Sequence, residues 1–114
     1  MSNVTLEEIV EITAREFSIS PNEMRARFRV GKSRNRPVPM IARNVAIWLI
    51  CRHTQTPAGK VGRYFKLNTR TPIEQAVDYV ETRREVDPAF ANRVERIERW
   101  IDDLHELRGV GLTE

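Results

Sequence analysis

Apolar residues recur every three or four positions along almost the whole chain, which is the period of an α-helix and not the alternation of a strand. The first run, Leu6, Ile9, Val10, Thr13 and Phe17, predicts a helix over about 5–17. Thr5-Leu6-Glu7-Glu8 marks its start as a capping box, and Val4 is placed as a staple against Ile9. Ser20-Pro21-Asn22-Glu23 is a second start signal: a capping Ser, a Pro at the first helical position and a Glu three residues after the cap. It predicts a short helix over about 21–27 with Met24 and Phe28 inward. Gly31, Pro37 and Pro39 exclude a continuous helix across 29–39, which reads as a basic loop. The segment 40–54 is the most apolar of the chain and nearly apolar all round, the mark of a central buried helix.

Three closely spaced units follow. Residues 57–65 predict a short helix with Val61 and Phe65 inward, and Lys66-Leu67-Asn68 a turn. Thr71-Pro72-Ile73-Glu74 opens the next helix, with Thr71 as its cap, Glu74 closing the box, and Ile73, Ala76, Val77 and Val80 inward. A short helix, a tight turn and a second helix of this size form a helix-turn-helix, here over about 57–84. Asp87-Pro88 breaks the chain before a last helix over about 88–107. There Phe90, Val94, Ile97, Ile101 and Leu104 make a 3-4 seam, with Trp100 beside it. Packing on the domain's own core is the favoured reading of the seam. A homodimer or protein-partner contact is the alternative, since the same spacing suits a coiled coil. Residues 108–114 read as a frayed tail. The expectation is an all-α chain of about six helices in a single domain, 1–114.

Charge adds what periodicity cannot. The chain has 19 Lys and Arg against 16 Asp and Glu, but the signs are segregated. Between Met24 and Ile73 there are twelve basic residues and no acid, whereas residues 74–114 hold eleven acids and six bases. Solvating surfaces mix both signs, so an unbroken basic block points to a polyanion, of which nucleic acid is the commonest. No apolar run approaches the roughly 18 residues that span a bilayer. The N-terminus has no signal-peptide pattern, and the single Cys51 suits a reducing cytoplasm.

Little else in the chain suggests chemistry. His53 follows Cys51 on an apolar helix and reads as a core or boundary residue in preference to a metal ligand; His105 stands alone. Two His and one Cys at these spacings make no zinc site. Trp48 and Trp100 lie at helical positions and read as packing residues. No nucleophile–base set or paired carboxylates are legible, so no enzyme and no cofactor are expected.

Several stretches resemble a known family. Val4-Thr5-Leu6-Glu7-Glu8-Ile9-Val10 is similar to the I-T-L-E-x-I start of the C-terminal DNA-binding domain of the bacterial replication initiator DnaA. Phe17-Ser18-Ile19 is similar to its Y-x-I, and Lys32-Ser33-Arg34-Asn35-Arg36 to its basic loop. The run from Ala42 to Leu49 is close to its A-R-Q-I-A-M-Y-L, and Thr54, Val61-Gly62 and Phe65 follow its T…I-G…F. The resemblance covers roughly residues 4–102. It implies a helix-turn-helix domain of the Trp-repressor-like class and a double-stranded DNA partner. Where the family signature reads G-G-R-D-H-T-T-V, however, this chain has Lys66-Leu67-Asn68-Thr69-Arg70-Thr71-Pro72-Ile73. The recognition surface is implied, but not the initiator's own target sequence. The chain also has no G-x-x-x-x-G-K-[ST], so it reads as a stand-alone domain without the initiator's ATPase or a bound nucleotide.

In a helix-turn-helix the N-terminal residues of the second helix meet base edges. Here these are Asn68, Thr69, Arg70, Thr71 and Gln75, with Arg70 suited to guanine and Gln75 or Asn68 to adenine. Thr71 carries a second reading, as a cap only, and Glu74 is either occupied in the capping box, an acceptor from cytosine, or a repulsive charge. The resemblance places the loop of Lys32, Arg34 and Arg36 in the minor groove, whose potential suits Arg. Arg43, Lys60, Arg63 and Lys66 are candidates for phosphates. About six such contacts give a slope of log K on log salt near −5. The expected function is duplex DNA binding by a small bacterial or phage regulator or replication accessory protein of the cytoplasm and nucleoid. The rival is a protein-interaction module whose acidic last helix masks the basic block.

Overall fold

The computed structural model describes residues 4–25, 38–67 and 71–113, with side chains through Arg108. Within them the chain is helical: α1 (Leu6–Glu16), α2 (Pro21–Arg25), α3 (Val38–His53), α4 (Ala58–Tyr64), α5 (Thr71–Val86) and α6 (Pro88–Thr113). This is the all-α architecture that the periodicity predicts, and among the described residues no helix is long and apolar enough to cross a membrane.

Capping chemistry sets several of the boundaries. Thr5 accepts from the Glu8 amide at 3.2 Å while Glu8 accepts from the Thr5 amide at 3.1 Å, closing the predicted box. Ser20 Oγ accepts from the Glu23 amide at 3.2 Å and starts α2. Asp87 Oδ1 accepts from the Phe90 amide at 3.1 Å, a bond that holds the Asp87 carboxyl below its ordinary range. Pro88 is then the first residue of α6, where a missing N–H costs nothing.

The two short turns share one device. Ser18 and Lys66 both sit in the left-handed region, at φ 57° and 59°. After α1, the Ile19 amide donates to Ala14 and the Ser18 amide to Arg15. After α4, the Leu67 amide donates to Gly62 at 2.7 Å and the Lys66 amide to Arg63 at 3.2 Å. Both are Schellman motifs, which satisfy the last carbonyls of a helix and turn the chain sharply.

α3 is central, as its composition requires. Ala42, Val45, Ala46, Ile47, Trp48, Leu49 and Ile50 are all at most 1% exposed, and α3 packs against α1, α2 and α5. α6 lies on α1 and α5, with Phe90, Val94, Ile97 and Ile101 buried in the same core. The seam therefore serves the chain's own core.

Several boundaries differ from expectation. Pro39 lies within α3 (Val38–His53), so it does not bar the helix. Thr71 already lies within α5 (Thr71–Val86) and is not its cap, and the helix runs on to Val86. α6 does not end near 107 but continues to Thr113, so the expected tail is helical. Its penultimate turn is held by Arg108, whose guanidinium binds both carboxylate oxygens of Glu8, one of them at 2.7 Å. Phe28 and the 29–37 loop lie outside the described residues.

Candidate nucleic-acid interface

α4 and α5 form the two arms of the helix-turn-helix, and their buried sides fix which residues remain outside. Val61 and Phe65 anchor α4, and Ile73, Ala76 and Val80 anchor α5, all 6% exposed or less. Gly62 faces the turn: a Cβ there would lie 3.4 Å from the Leu67 carbonyl oxygen and 3.9 Å from Ile73 Cδ1. Arg25 braces the assembly from α2, donating to the Tyr64 carbonyl at 3.1 Å while its guanidinium stacks 4.7 Å from the Tyr64 ring. That gives Arg25 a structural role within the basic block.

Helical spacing then brings Thr71, Glu74, Gln75 and Asp78 together on the side of α5 opposite its buried stripe, and all four are exposed. Among the described residues, no side-chain hydrogen bond or ion pair engages Thr71, Glu74 or Gln75. The capping bond that would have occupied Thr71 and Glu74 is not made. Lys60 and Arg63 stand exposed on α4, and Lys66 is exposed in the turn.

The ion pairs of the molecule lie elsewhere. Among the described residues they join Arg108 to Glu8, Arg93 and Arg96 to Glu16, Arg52 and His53 to Glu98, His53 to Asp102, Arg83 to Asp87, and Arg99 to Glu95. None involves Lys60, Arg63 or Lys66. Of the acids of α6, Glu98 and Asp102 face α3 and Glu95 pairs within α6, and none of these pairs reaches α4, so α6 does not mask the α4 basic residues through them. Arg43 differs from the other phosphate candidates, being half-buried on α3 with burial pushing its pKa down. Asn68, Thr69, Arg70, Lys32, Arg34 and Arg36 lie outside the described residues.

Other candidates take structural roles. Trp48 is 1% exposed, with the Arg52 and Arg84 guanidinium carbons 4.5 and 4.6 Å from its ring centroid. Periodicity could not show that sandwich, since it joins α3 to the far end of α5. Beside it opens a groove of about 510 Å³ lined by Trp48, Arg52, Arg84, Glu81, Glu85 and Ala91. Its lining carries both signs of charge. His53 Nε2 lies 2.9 Å from Glu98 Oε2, and its ring stacks on His105 at 6.1 Å, so His105 is not isolated. Trp100, expected to pack, is 41% exposed.

No family model matches the chain. Among curated proteins it is similar to the chromosomal replication initiator protein DnaA of several bacteria. It is 30% identical to that of Nautilia profundicola over 98 residues, 86% of this chain. It is 26% identical to that of Wolinella succinogenes over 87% of this chain, and 28% identical to that of Bacteroides fragilis over 93%. The chain spans only about a fifth of the length of these relatives, 21% of each. In sequence over most of its length, and in its helical architecture, the chain is thus similar to one segment of the initiator DnaA, consistent with that protein's C-terminal domain.

Proposed function

We propose that this chain binds double-stranded DNA through α4 and α5, as a bacterial or phage regulator or replication accessory protein acting at the nucleoid. One observation carries the reading. The basic side chains of α4 and its turn, and the polar side chains opening α5, are exposed and unspent, while Glu8, Glu16, Arg52 and most of the charges of α6 are paired within the fold. The initiator relatives give the partner its class. In this reading Thr71 and Gln75, together with Asn68, Thr69 and Arg70, meet base edges. Lys60, Arg63, Lys66 and Arg43 meet phosphates, and the loop of Lys32, Arg34 and Arg36 enters the minor groove. The role is binding and not catalysis.

The test is fluorescence anisotropy with a random duplex pool across a salt series. Binding at micromolar or tighter Kd near 0.1 M salt is expected, with log K falling on log salt at a slope of about −5. Arg70→Ala and Arg36→Ala each weaken it. Absence of binding to any duplex at low salt overturns the reading and favours the rival, a protein-interaction module. An observation specific to that rival is the outer face of α6, where Trp100 and Leu107 are 41% and 69% exposed. A homodimer or protein partner on α6 would use that face, since the 3-4 seam is buried within the chain.

A further inference from the structure

We propose that Glu74 is a base-reading residue that selects cytosine in the major groove. The inference rests on the DNA-binding reading and adds to it a specificity of this chain's own. Glu74 is the first acid after the acid-free block that ends at Ile73. It sits in the first turn of α5, exposed, on the outward side shared by Thr71, Gln75 and Asp78. No hydrogen bond or ion pair among the described residues engages its carboxylate, and Thr71, already helical, makes no capping bond with it.

A carboxylate in that position has few acceptable neighbours. It is an acceptor only, and phosphates and the guanine O6 and N7 edge repel it. Adenine offers its N6 donor beside the N7 acceptor, a pattern that suits the amide of Gln75 better than a carboxylate. Cytosine presents the N4 amino donor without an adjoining acceptor of its own, which matches a carboxylate oxygen. Asp78, Glu81 and Glu85 continue along the same flank of α5 at spacings of four, three and four. That flank is kept off the phosphate strands, and only the first turn, with Glu74, is left at the bases.

The experiment selects bound sequences from a random duplex pool with the wild-type chain, Glu74→Ala and Glu74→Gln. Thermal melts confirm that the exposed substitutions leave the fold intact. Wild-type sites are expected to share a cytosine at one position. Replacing that C·G pair by U·A, which puts an acceptor where the N4 donor was, should weaken wild-type binding about tenfold and Glu74→Ala binding less than about twofold. Identical base preferences in wild type and Glu74→Ala, with the alanine variant tighter on every sequence, overturn this proposal alone: Glu74 is then only a repulsive charge. Failure of the wild-type chain to bind any duplex overturns the DNA-binding reading, and this proposal with it.

Discussion

Lys66 shows how a single residue can be retained against its local cost. It adopts φ 59°, a conformation that Gly takes without penalty, and it stands where the initiator signature has Gly. The hydrogen bonds around it are those of a helix end, so the turn itself demands the left-handed geometry. A lysine there contributes a basic side chain to the face of α4 in exchange for backbone strain. Lys66→Gly is therefore expected to raise stability by up to about 1 kcal/mol in a thermal melt. It should also weaken DNA binding and make the salt slope shallower by about 0.9, one phosphate contact. Ser18 holds the equivalent position after α1 but carries no charge, and its replacement by Gly should affect stability alone. The turn after α4 was legible from the spacing of its helices; the sign of φ was not, because the residue that usually announces it is missing.

At the scale of an element, α6 departs most from expectation. The run 108–114 has no apolar periodicity, and helix ends without caps read as tails. What extends the helix is a partner a hundred residues away: Arg108 binds the carboxylate of Glu8 in the first turn of α1. The same Glu8 closes the α1 capping box, so one side chain serves both ends of the described chain. The hydrogen bond from Arg108, with the Thr5 amide, holds the Glu8 carboxyl at about 2, against an ordinary 4.5. A depressed carboxylate contributes stability that is fully present above its unfolded value and is lost as pH falls through the folded one. Glu8→Gln should thus lower the melting midpoint at pH 7. The gap to wild type should narrow from about pH 5 downward and close near pH 2, as followed by circular dichroism melts across that range. The pairing of His53 with Glu98 and His105 is of the same kind: α3 and α6 meet only in the folded chain.

The whole molecule divides its charge by face. Glu16, Glu98 and Glu8 hold arginines of α3 and α6 at home, and the described basic residues that remain without ion pairs include Lys60, Arg63 and Lys66 around the turn. Burial decides the role of the last helix in the same way. Ile97 is 1% exposed in the core beside Phe90, Val94 and Ile101, so a charge there has neither water nor partner. Ile97→Asp is expected to cost about 3 kcal/mol or more and to abolish the cooperative melt, not to release a soluble monomer. Circular dichroism and size-exclusion chromatography of the variant distinguish the two.

The order of helices, the capped starts of α1 and α2, the buried α3 and the basic block were all legible in the sequence. Periodicity, caps and charge are local properties that a chain carries whether or not it is folded. The sequence also named the helices that became α4 and α5 as the candidate interface. Tertiary structure alone decided which charges are spent. Arg25 went to Tyr64, Arg52 to Glu98 and Trp48, and Arg108 to Glu8, while Thr71 and Glu74 were left without the capping bond expected of them. The physical reason is that pairing depends on distance across helices far apart in sequence, and no spacing along one helix encodes which side chains of another it will meet.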